Sequence, residues 1–247
     1  MTRTLLEICV ETMTDLETAL AGGADRIELC GALALGGLTP SQGLARQAVD
    51  RVRAAGRTVR AMVRPRDGDF AYDAAEVATA VAEGEALIEI GVDGLVFGAA
   101  RDGALDAHVL ATWTAAMRAR RPEIGLTLHR AIDLLDDPVS AVDLAAELGF
   151  DHILTSGGAV KAADALAVLA AMEQRAAKRL VVMPGSGVRA ANVRSVIDAT
   201  GAWAVHASAS EQASAPDGRA LAMGFALGAR RRTSLGEVVA LRAALDA

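Results

Sequence analysis

The sequences "LLEICV" at residues 5–10 and "RIELCG" at residues 26–31 repeat one pattern, and that pattern indicates the fold. Each is a short hydrophobic run that contains a glutamate, one apolar residue and then a cysteine. Side chains alternate along a strand, so each acid shares a strand face with its cysteine while the opposite face is apolar. The pairs are Glu7 with Cys9 and Glu28 with Cys30, and these are the only two cysteines of the chain.

The rest of the chain alternates short strand-like runs with longer amphipathic segments. Strands are predicted at 4–10, 25–30, 58–64, 94–98, 125–129, 152–155, 180–183 and 203–206. Helices are predicted between them at 14–21, 41–55, 73–90, 105–120, 138–148, 161–176 and 189–199. Thr14 with Glu17 resembles a capping box at the start of the first helix, and Gly22 with Gly23 is typical of its end.

Eight strands that alternate with helices favour a closed barrel over an open doubly wound sheet, which usually has fewer strands. The predicted fold class is α/β, a (β/α)8 TIM barrel. Residues 1–247 are expected to form a single domain, because about 250 residues is an ordinary size for this barrel. After the last predicted strand, residues 208–234 are expected to be irregular, and a final helix is expected at 235–245.

The composition excludes several classes of function. A net charge of −6 and an aromatic content of 3% argue against a nucleic-acid partner, which needs basic patches or stacking platforms. No apolar run reaches the length of about 18 residues that a membrane span requires. An acidic residue comes too early for the hydrophobic core of a signal peptide, so a cytoplasmic protein with reduced thiols is expected.

Polar side chains occupy the strand faces that point into the predicted barrel, because the opposite faces are apolar and suit the surrounding helices. They are Glu7 and Cys9, then Arg26, Glu28 and Cys30, then Arg60, Met62 and Arg64, and later Thr127 and His129. A lone buried charge costs several kcal/mol, so these groups must pair or meet a ligand. Two interpretations stay open: an internal ion-pair network of Glu7 and Glu28 with Arg26 and Arg60, or a functional site.

The carboxyl ends of the strands favour the second interpretation, because active sites of these barrels lie on that face. Glycine-rich turns also follow three late strands, as "TSGG" at 155–158, "PGSG" at 184–187 and "HASAS" at 206–210. Backbone amides in such turns can bind an anion, although each turn alone is as consistent with a tight bend. The predicted anion-binding residues are Arg64, Arg130, Ser156, Gly157, Gly158, Gly185, Ser186, Gly187, His206 and Ser208.

Seven motifs together resemble those of the CutC family, which is described as a family of copper homeostasis proteins. They are "GADRIELC", "LGGLTP", "VRPRDGDFAYD", "GLVFGA", "TLHRAID", "ILTSGG" and "MPGSGV", in that order between about residues 7 and 206. The resemblance implies a cytoplasmic (β/α)8 barrel with a role in copper handling. It also implies that Cys9 and Cys30 are ligands of Cu(I), and soft thiolates do favour that ion.

Two functions are therefore considered. The first is a copper homeostasis protein that binds Cu(I) through Cys9 and Cys30, although two buried cysteines are equally consistent with simple packing. The second is an enzyme acting on a small phosphorylated or carboxylated metabolite, with Glu7, Glu28, His129 or Asp133 in acid–base roles. The expected partner is a small molecule or a metal ion, and a homodimer or homotetramer is possible.

Overall fold

The computed structural model describes residues 3–213, 215–226 and 228–247. Eight parallel strands form the centre of the molecule, and each predicted strand matches one of them within two residues at either end. They are β1 Leu5–Val10, β2 Arg26–Leu29, β3 Thr58–Met62, β4 Gly94–Phe97, β5 Gly125–Leu128, β6 His152–Thr155, β7 Val181–Pro184 and β8 Ala204–Ala207. The chain is a (β/α)8 TIM barrel, as predicted.

The strands follow one another around the barrel in the order β8-β1-β2-β3-β4-β5-β6-β7. In β1 the register places Cys9 opposite Glu28 of β2, and Glu7 opposite His206 of β8. β7 and β8 lie side by side and close the ring without a hydrogen-bonded ladder between them. This register brings the first, second and last strands together at one point of the wall, although they are far apart in sequence.

The helices that surround the barrel are α1 Met13–Ala21, α2 Gln42–Ala54, α3 Ala74–Ile90, α4 Ala107–Arg120, α5 Ala141–Glu147, α6 Leu166–Ala176, α7 Val193–Thr200, α8 Gly218–Ala222 and α9 Leu235–Asp246. All of them except α8, which buries none of its residues, pack on the apolar outside of the barrel. The ring of Phe97 in β4 stacks on Trp113 of α4 with centroids 4.5 Å apart. None of the helices within the described ranges combines the length and the apolar character needed to cross a membrane.

The start of α1 differs from its prediction. Thr12, not Thr14, is the N-cap, and its hydroxyl accepts a hydrogen bond from the amide of Asp15. The capping box expected from Thr14 and Glu17 is therefore wrong, because the helix begins earlier in the chain. At the other end, Gly22 caps the helix and Gly23 adopts a positive φ of 97°, as the double glycine predicts.

Residues 208–234 contain more regular structure than expected. Ser210–Gln212 pairs antiparallel with Arg231–Thr233 to form a two-stranded ribbon. In the sequence, α8 lies between these two strands. The ribbon starts directly after β8, at the carboxyl ends of the barrel strands. Thr233 is anchored there by its amide, which donates to Asp15 Oδ1 at 2.8 Å. The segment therefore lies at the barrel mouth, where α9 follows it.

Candidate functional site

A buried ion pair lies inside the barrel below the mouth. Arg26 Nε donates to Glu7 Oε2 at 2.5 Å, and both side chains are nearly inaccessible. A second nitrogen of Arg26 contacts His152 Nε2 at 3.1 Å, and a third donates to the sulfur of Met183. Burial, followed by the nearby Arg60, lowers the pKa of His152 to about 2, so this imidazole is neutral. The network interpretation therefore holds for Glu7 and Arg26.

Arg60 takes a different partner from the one expected. One of its terminal nitrogens donates to the hydroxyl of Thr127 at 2.5 Å instead of pairing with an acid. Gly94 and Gly125 leave the space that its long side chain fills, since a Cβ on either would lie within 3 Å of it. Burial, followed by the repulsion of Arg26, lowers the pKa of Arg60 to about 10.

His206 links this interior pair to the mouth. Its Nδ1 lies 2.8 Å from Glu7 Oε1, and its Nε2 lies 3.8 Å from Glu28 Oε2. Burial alone would lower the pKa of His206, but Glu28, Cys9 and Glu7 outweigh burial and raise the pKa well above 6.5. His206 is thus a cation held between two carboxylates.

Four side chains with potential metal-binding atoms meet at this point. The ligand atoms of Cys9, Glu28 and His206 all lie within 4.8 Å of one another. The thiol of Cys30 donates to Glu28 Oε2 at 3.5 Å. Burial, followed by the negative charge of Glu28, raises the pKa of the Cys30 thiol well above its usual value. The set Cys9, Glu28, Cys30 and His206 is called the cysteine cluster below.

Glu28 keeps one oxygen without a partner. Its Oε1 is buried and accepts no hydrogen bond from the part of the chain that the structure describes. Burial is the largest cause of a raised pKa for this carboxyl, and the neighbouring Glu7 adds to it. The pKa values of the two carboxyls on either side of His206 therefore shift in opposite directions. Burial would raise the pKa of Glu7 too, but the charge of Arg26 and the hydrogen bond to His206 outweigh burial and hold that pKa well below its usual range. Glu28 is the group that an incoming cation or hydroxyl would meet.

A cavity of about 800 Å³ opens above the cluster at the carboxyl ends of the strands. Nine of the residues predicted from the sequence line it: Cys9, Glu28, Arg64, His129, Arg130, Ser186, Gly187, His206 and Ser208. Seven others do not line it: Glu7, Cys30, Asp133, Ser156, Gly157, Gly158 and Gly185. Glu7 and Cys30 still contact lining residues from below.

A third buried histidine, His129, directly follows β5 in the wall of the mouth. The amide of Ala131 donates to its Nδ1 at 3.1 Å, so the proton of the neutral ring lies on Nε2. The ring of Phe70 lies against it with centroids 4.7 Å apart. Burial, followed by the positive charge of Arg64, lowers the pKa of His129 to about 3. Its Nε2–H finds no acceptor within the described residues.

Arg64 is held by backbone oxygens. Its terminal nitrogens donate to the carbonyls of Leu35, Gly37 and Gly68, and its guanidinium lies 5.0 Å from the centre of the Phe70 ring. Three carbonyl partners fix this side chain in place. Arg64 therefore holds two loops of the mouth together, and most of its donors are already used.

The predicted anion site at "TSGG" contains an anion from the chain itself. Asp133 Oδ1 accepts from the amides of Ser156 and Gly158 at 3.0 and 3.2 Å, and Asp133 Oδ2 accepts from the Ser156 hydroxyl at 2.8 Å. Arg130 Nε donates to the same carboxylate at 2.7 Å. The carboxylate of Asp133 thus occupies the position that a ligand anion would take in this turn.

The next turn, "PGSG", differs from it. Gly185 contacts Leu154 and His206, where a Cβ would lie 2.4 Å from the leucine side chain, so this glycine serves packing. Ser186 and Gly187 line the cavity with positive φ values of 72° and 70°. Among the described residues, none accepts a hydrogen bond from the backbone N–H of Ser186 or Gly187.

Several residues of the mouth were not predicted from the sequence. Phe70 lines the cavity, and so do the arginines at 230–232 in the segment after β8. Phe70 is the last residue of the "RPRDGDF" motif, so this motif could have indicated that Phe70 belongs to the site. The arginines lie in a segment without strand or helix periodicity, and only the "RRR" run could have drawn attention to them.

Comparison with known proteins gives one consistent family. The model of the CutC family matches residues 4–211. A CutC family protein of Sinorhizobium medicae is 45% identical over 251 residues, which cover 100% of this chain and 98% of that protein. A CutC family protein of Rhizobium meliloti is 43% identical, with 100% and 98% covered.

A solved structure agrees with these relatives. The crystal structure of CutC from Streptococcus agalactiae, a protein named for copper homeostasis, is similar with a TM-score of 0.78 and 29% sequence identity. The similarity covers 83% of this chain and 98% of that chain. The match to the family model ends at residue 211, whereas the two relatives cover the whole chain, including α9.

Proposed function

This chain belongs to the CutC family, and from that premise we propose that it serves copper homeostasis by binding one Cu(I) ion in the cysteine cluster. One observation carries the proposal: a thiol, a carboxylate and an imidazole have ligand atoms within 4.8 Å of one another, with a second thiol on the same carboxylate. A copper homeostasis protein needs such a site for its cargo ion.

The donor set suits Cu(I). Cysteine sulfur and imidazole nitrogen are the soft and borderline ligands that this ion prefers, whereas Glu28 alone would favour harder cations. In the proposed complex Cys9, Cys30 and His206 supply the ligand atoms. The thiols of Cys9 and Cys30 and the Nε2 of the charged His206 must each release a proton on binding. Glu28 accepts the hydrogen bond of the Cys30 thiol and is placed to take up one of these protons, and the others pass to solvent through the open mouth.

The surroundings of His206 support a ligand role. Its Nδ1 is held by Glu7, so Nε2 is the nitrogen that faces Glu28. A histidine that binds a metal through one nitrogen commonly donates its other N–H to a carboxylate, which fixes the ring. Glu7, itself anchored by Arg26, provides that carboxylate.

The proposal is tested by anaerobic titration of the full chain with Cu(I) against a competing chelator. The expected result is tight binding of about one equivalent in the wild type. The double variant Cys9→Ser, Cys30→Ser loses this binding, and His206→Asn weakens it by tenfold or more, since each removes a soft donor. The matched control is His108→Asn, which changes an exposed histidine on α4 and leaves the affinity unchanged.

Unchanged Cu(I) affinity in the double cysteine variant would refute the proposal. The cysteines would then be buried apolar side chains, a common role for free cysteine. A circular dichroism spectrum and a urea unfolding curve of each variant show whether lost binding reflects lost ligands or lost structure.

A further inference from the structure

We propose that the barrel mouth also binds a small organic molecule that carries a phosphate group, at a subsite apart from the cysteine cluster. Ser186, Gly187 and Arg230 on the rim hold the phosphate, and His129 donates a hydrogen bond to an oxygen of the organic part. This proposal does not depend on copper binding, because it uses none of the residues of that cluster.

The size of the cavity is the first reason. At about 800 Å³ it is far larger than a metal ion needs and lies within the range of about 300–1,000 Å³ that is typical of small-molecule sites. The cysteine cluster occupies only the side formed by β1, β2 and β8. The wall that contains Phe70 and His129 is left for another occupant.

His129 supplies the second reason. Its ring is 3% exposed and lines the cavity, yet its Nε2–H has no partner among the described residues. Leaving a buried donor unsatisfied costs about 1–3 kcal/mol, so such groups are usually paired. Because this imidazole is neutral, it is suited to a carbonyl or hydroxyl oxygen of a ligand.

The charge of the rim is the third reason. Four arginines line the cavity beyond Arg64, and three of them have partners in the chain: Arg130 with Asp133, Arg231 with Ser210 and Arg232 with Glu211. Arg230 lines the same cavity and makes no ion pair with any residue that the structure describes. A guanidinium in this position is a suitable partner for a phosphate oxygen.

The turn after β7 completes the subsite. The neighbouring turn shows that loops at this rim accept an anion, since its amides at Ser156 and Gly158 bind the carboxylate of Asp133. Ser186 and Gly187 line the cavity, and their amides have no such acceptor in the described part of the chain. Successive backbone N–H groups with an adjacent arginine are a common way to hold phosphate.

The test is calorimetric titration of the full chain with ribose 5-phosphate and, separately, with inorganic phosphate, both with a Cu(I) chelator present. Saturable binding of both probes is expected, with ribose 5-phosphate the tighter. Arg230→Ala is expected to weaken both by about tenfold or more, because a charge-assisted hydrogen bond is lost. Arg219→Ala, an exposed arginine of α8 outside the cavity lining, is the matched control and changes neither.

Two variants of His129 isolate its donor. His129→Asn keeps an oxygen near the position of Nδ1 that can accept from the Ala131 amide, but it loses the donor at the position of Nε2. His129→Gln places an N–H near the position of Nε2, but it loses the acceptor for the Ala131 amide. We expect His129→Asn to weaken ribose 5-phosphate about tenfold and leave inorganic phosphate unchanged, and His129→Gln to retain most of the affinity. The proposal is overturned if neither probe binds at millimolar concentration, or if Arg230→Ala binds both as tightly as Arg219→Ala.

Discussion

His129 and His206 end two strands of one barrel, line the same cavity and are both buried, yet one is neutral and the other is a cation. His206 lies between Glu7 and Glu28, whose negative charges outweigh the cost of burial. His129 lies against the ring of Phe70 with Arg64 nearby. Burial and the positive charge of Arg64 both lower the pKa of this histidine.

The difference shows that a residue type at a strand end does not determine the chemistry of a barrel mouth. The side chains packed around that residue determine it, whether they come from adjacent strands, as at His206, or from the loop after β3, as at His129. On the β1, β2 and β8 side these neighbours are acids and thiols, which suit a cation. On the side of β5 they are an aromatic ring and an arginine, which suit a neutral donor.

The largest expected effect comes from removing Glu7, the carboxylate that contacts both Arg26 and His206. Glu7→Ala leaves the Arg26 guanidinium buried without its acid and His206 Nδ1 without its partner. Breaking a buried ion pair by removing one member typically costs about 3–5 kcal/mol, and we expect a loss of that size in urea unfolding. Glu17→Ala breaks the surface pair with Arg51 and should cost under about 1 kcal/mol. Equal losses would show that the interior pair is not a source of stability.

A smaller effect is expected from two glycines, each of which lies beside one of the histidines. A Cβ at Gly98 would lie 2.4 Å from Nδ1 of the rigid His129 ring, whereas a Cβ at Gly185 would lie 2.4 Å from the end of the flexible Leu154 side chain. Overpacking costs typically about 1–3 kcal/mol, so Gly98→Ala should lie in that range and Gly185→Ala below it. Thermal unfolding of the two variants measures the difference, and the reverse order would contradict the rigidity of the His129 wall.

Much of the fold was available from the sequence. The strand pattern of β1 and β2, repeated around the chain, predicted the barrel and the inward direction of Glu7, Glu28 and Arg26. It also placed both cysteines near the carboxyl ends of their strands. These features follow from alternation of side chains along a strand, which is a local property.

The partners of these residues could not be predicted, because they depend on strand register and side-chain conformation. The position of Glu7 opposite His206 joins residues from the two ends of the chain. Asp133 fills the "TSGG" turn through a local choice of rotamer, which no sequence pattern reveals. The charge states of His129 and His206 follow from such contacts and therefore appear only in three dimensions.

The effect with the smallest change per step of the measurement is a pair of opposite pH dependences. Between pH 6.5 and about 3, His129 takes up a proton in the unfolded chain but not in the native chain. The free energy of unfolding therefore decreases as the pH falls through this range. His206 has a raised pKa, so its contribution is present below pH 6.5 and is lost as pH rises through its native pKa. The slope for one group is about 1.4 kcal/mol per pH unit where the two states differ by one full proton.

Urea unfolding of the wild type, His129→Asn and His206→Asn between pH 4.5 and 8 measures both slopes. Replacing His129 should flatten the acid limb by about 1.4 kcal/mol per pH unit and leave the limb above pH 6.5 unchanged. Replacing His206 should flatten the limb above pH 6.5, because only this histidine gains a proton on folding there. If both variants change the same limb, the two histidines do not differ in charge, and the division of the mouth into a cationic and a neutral side is wrong.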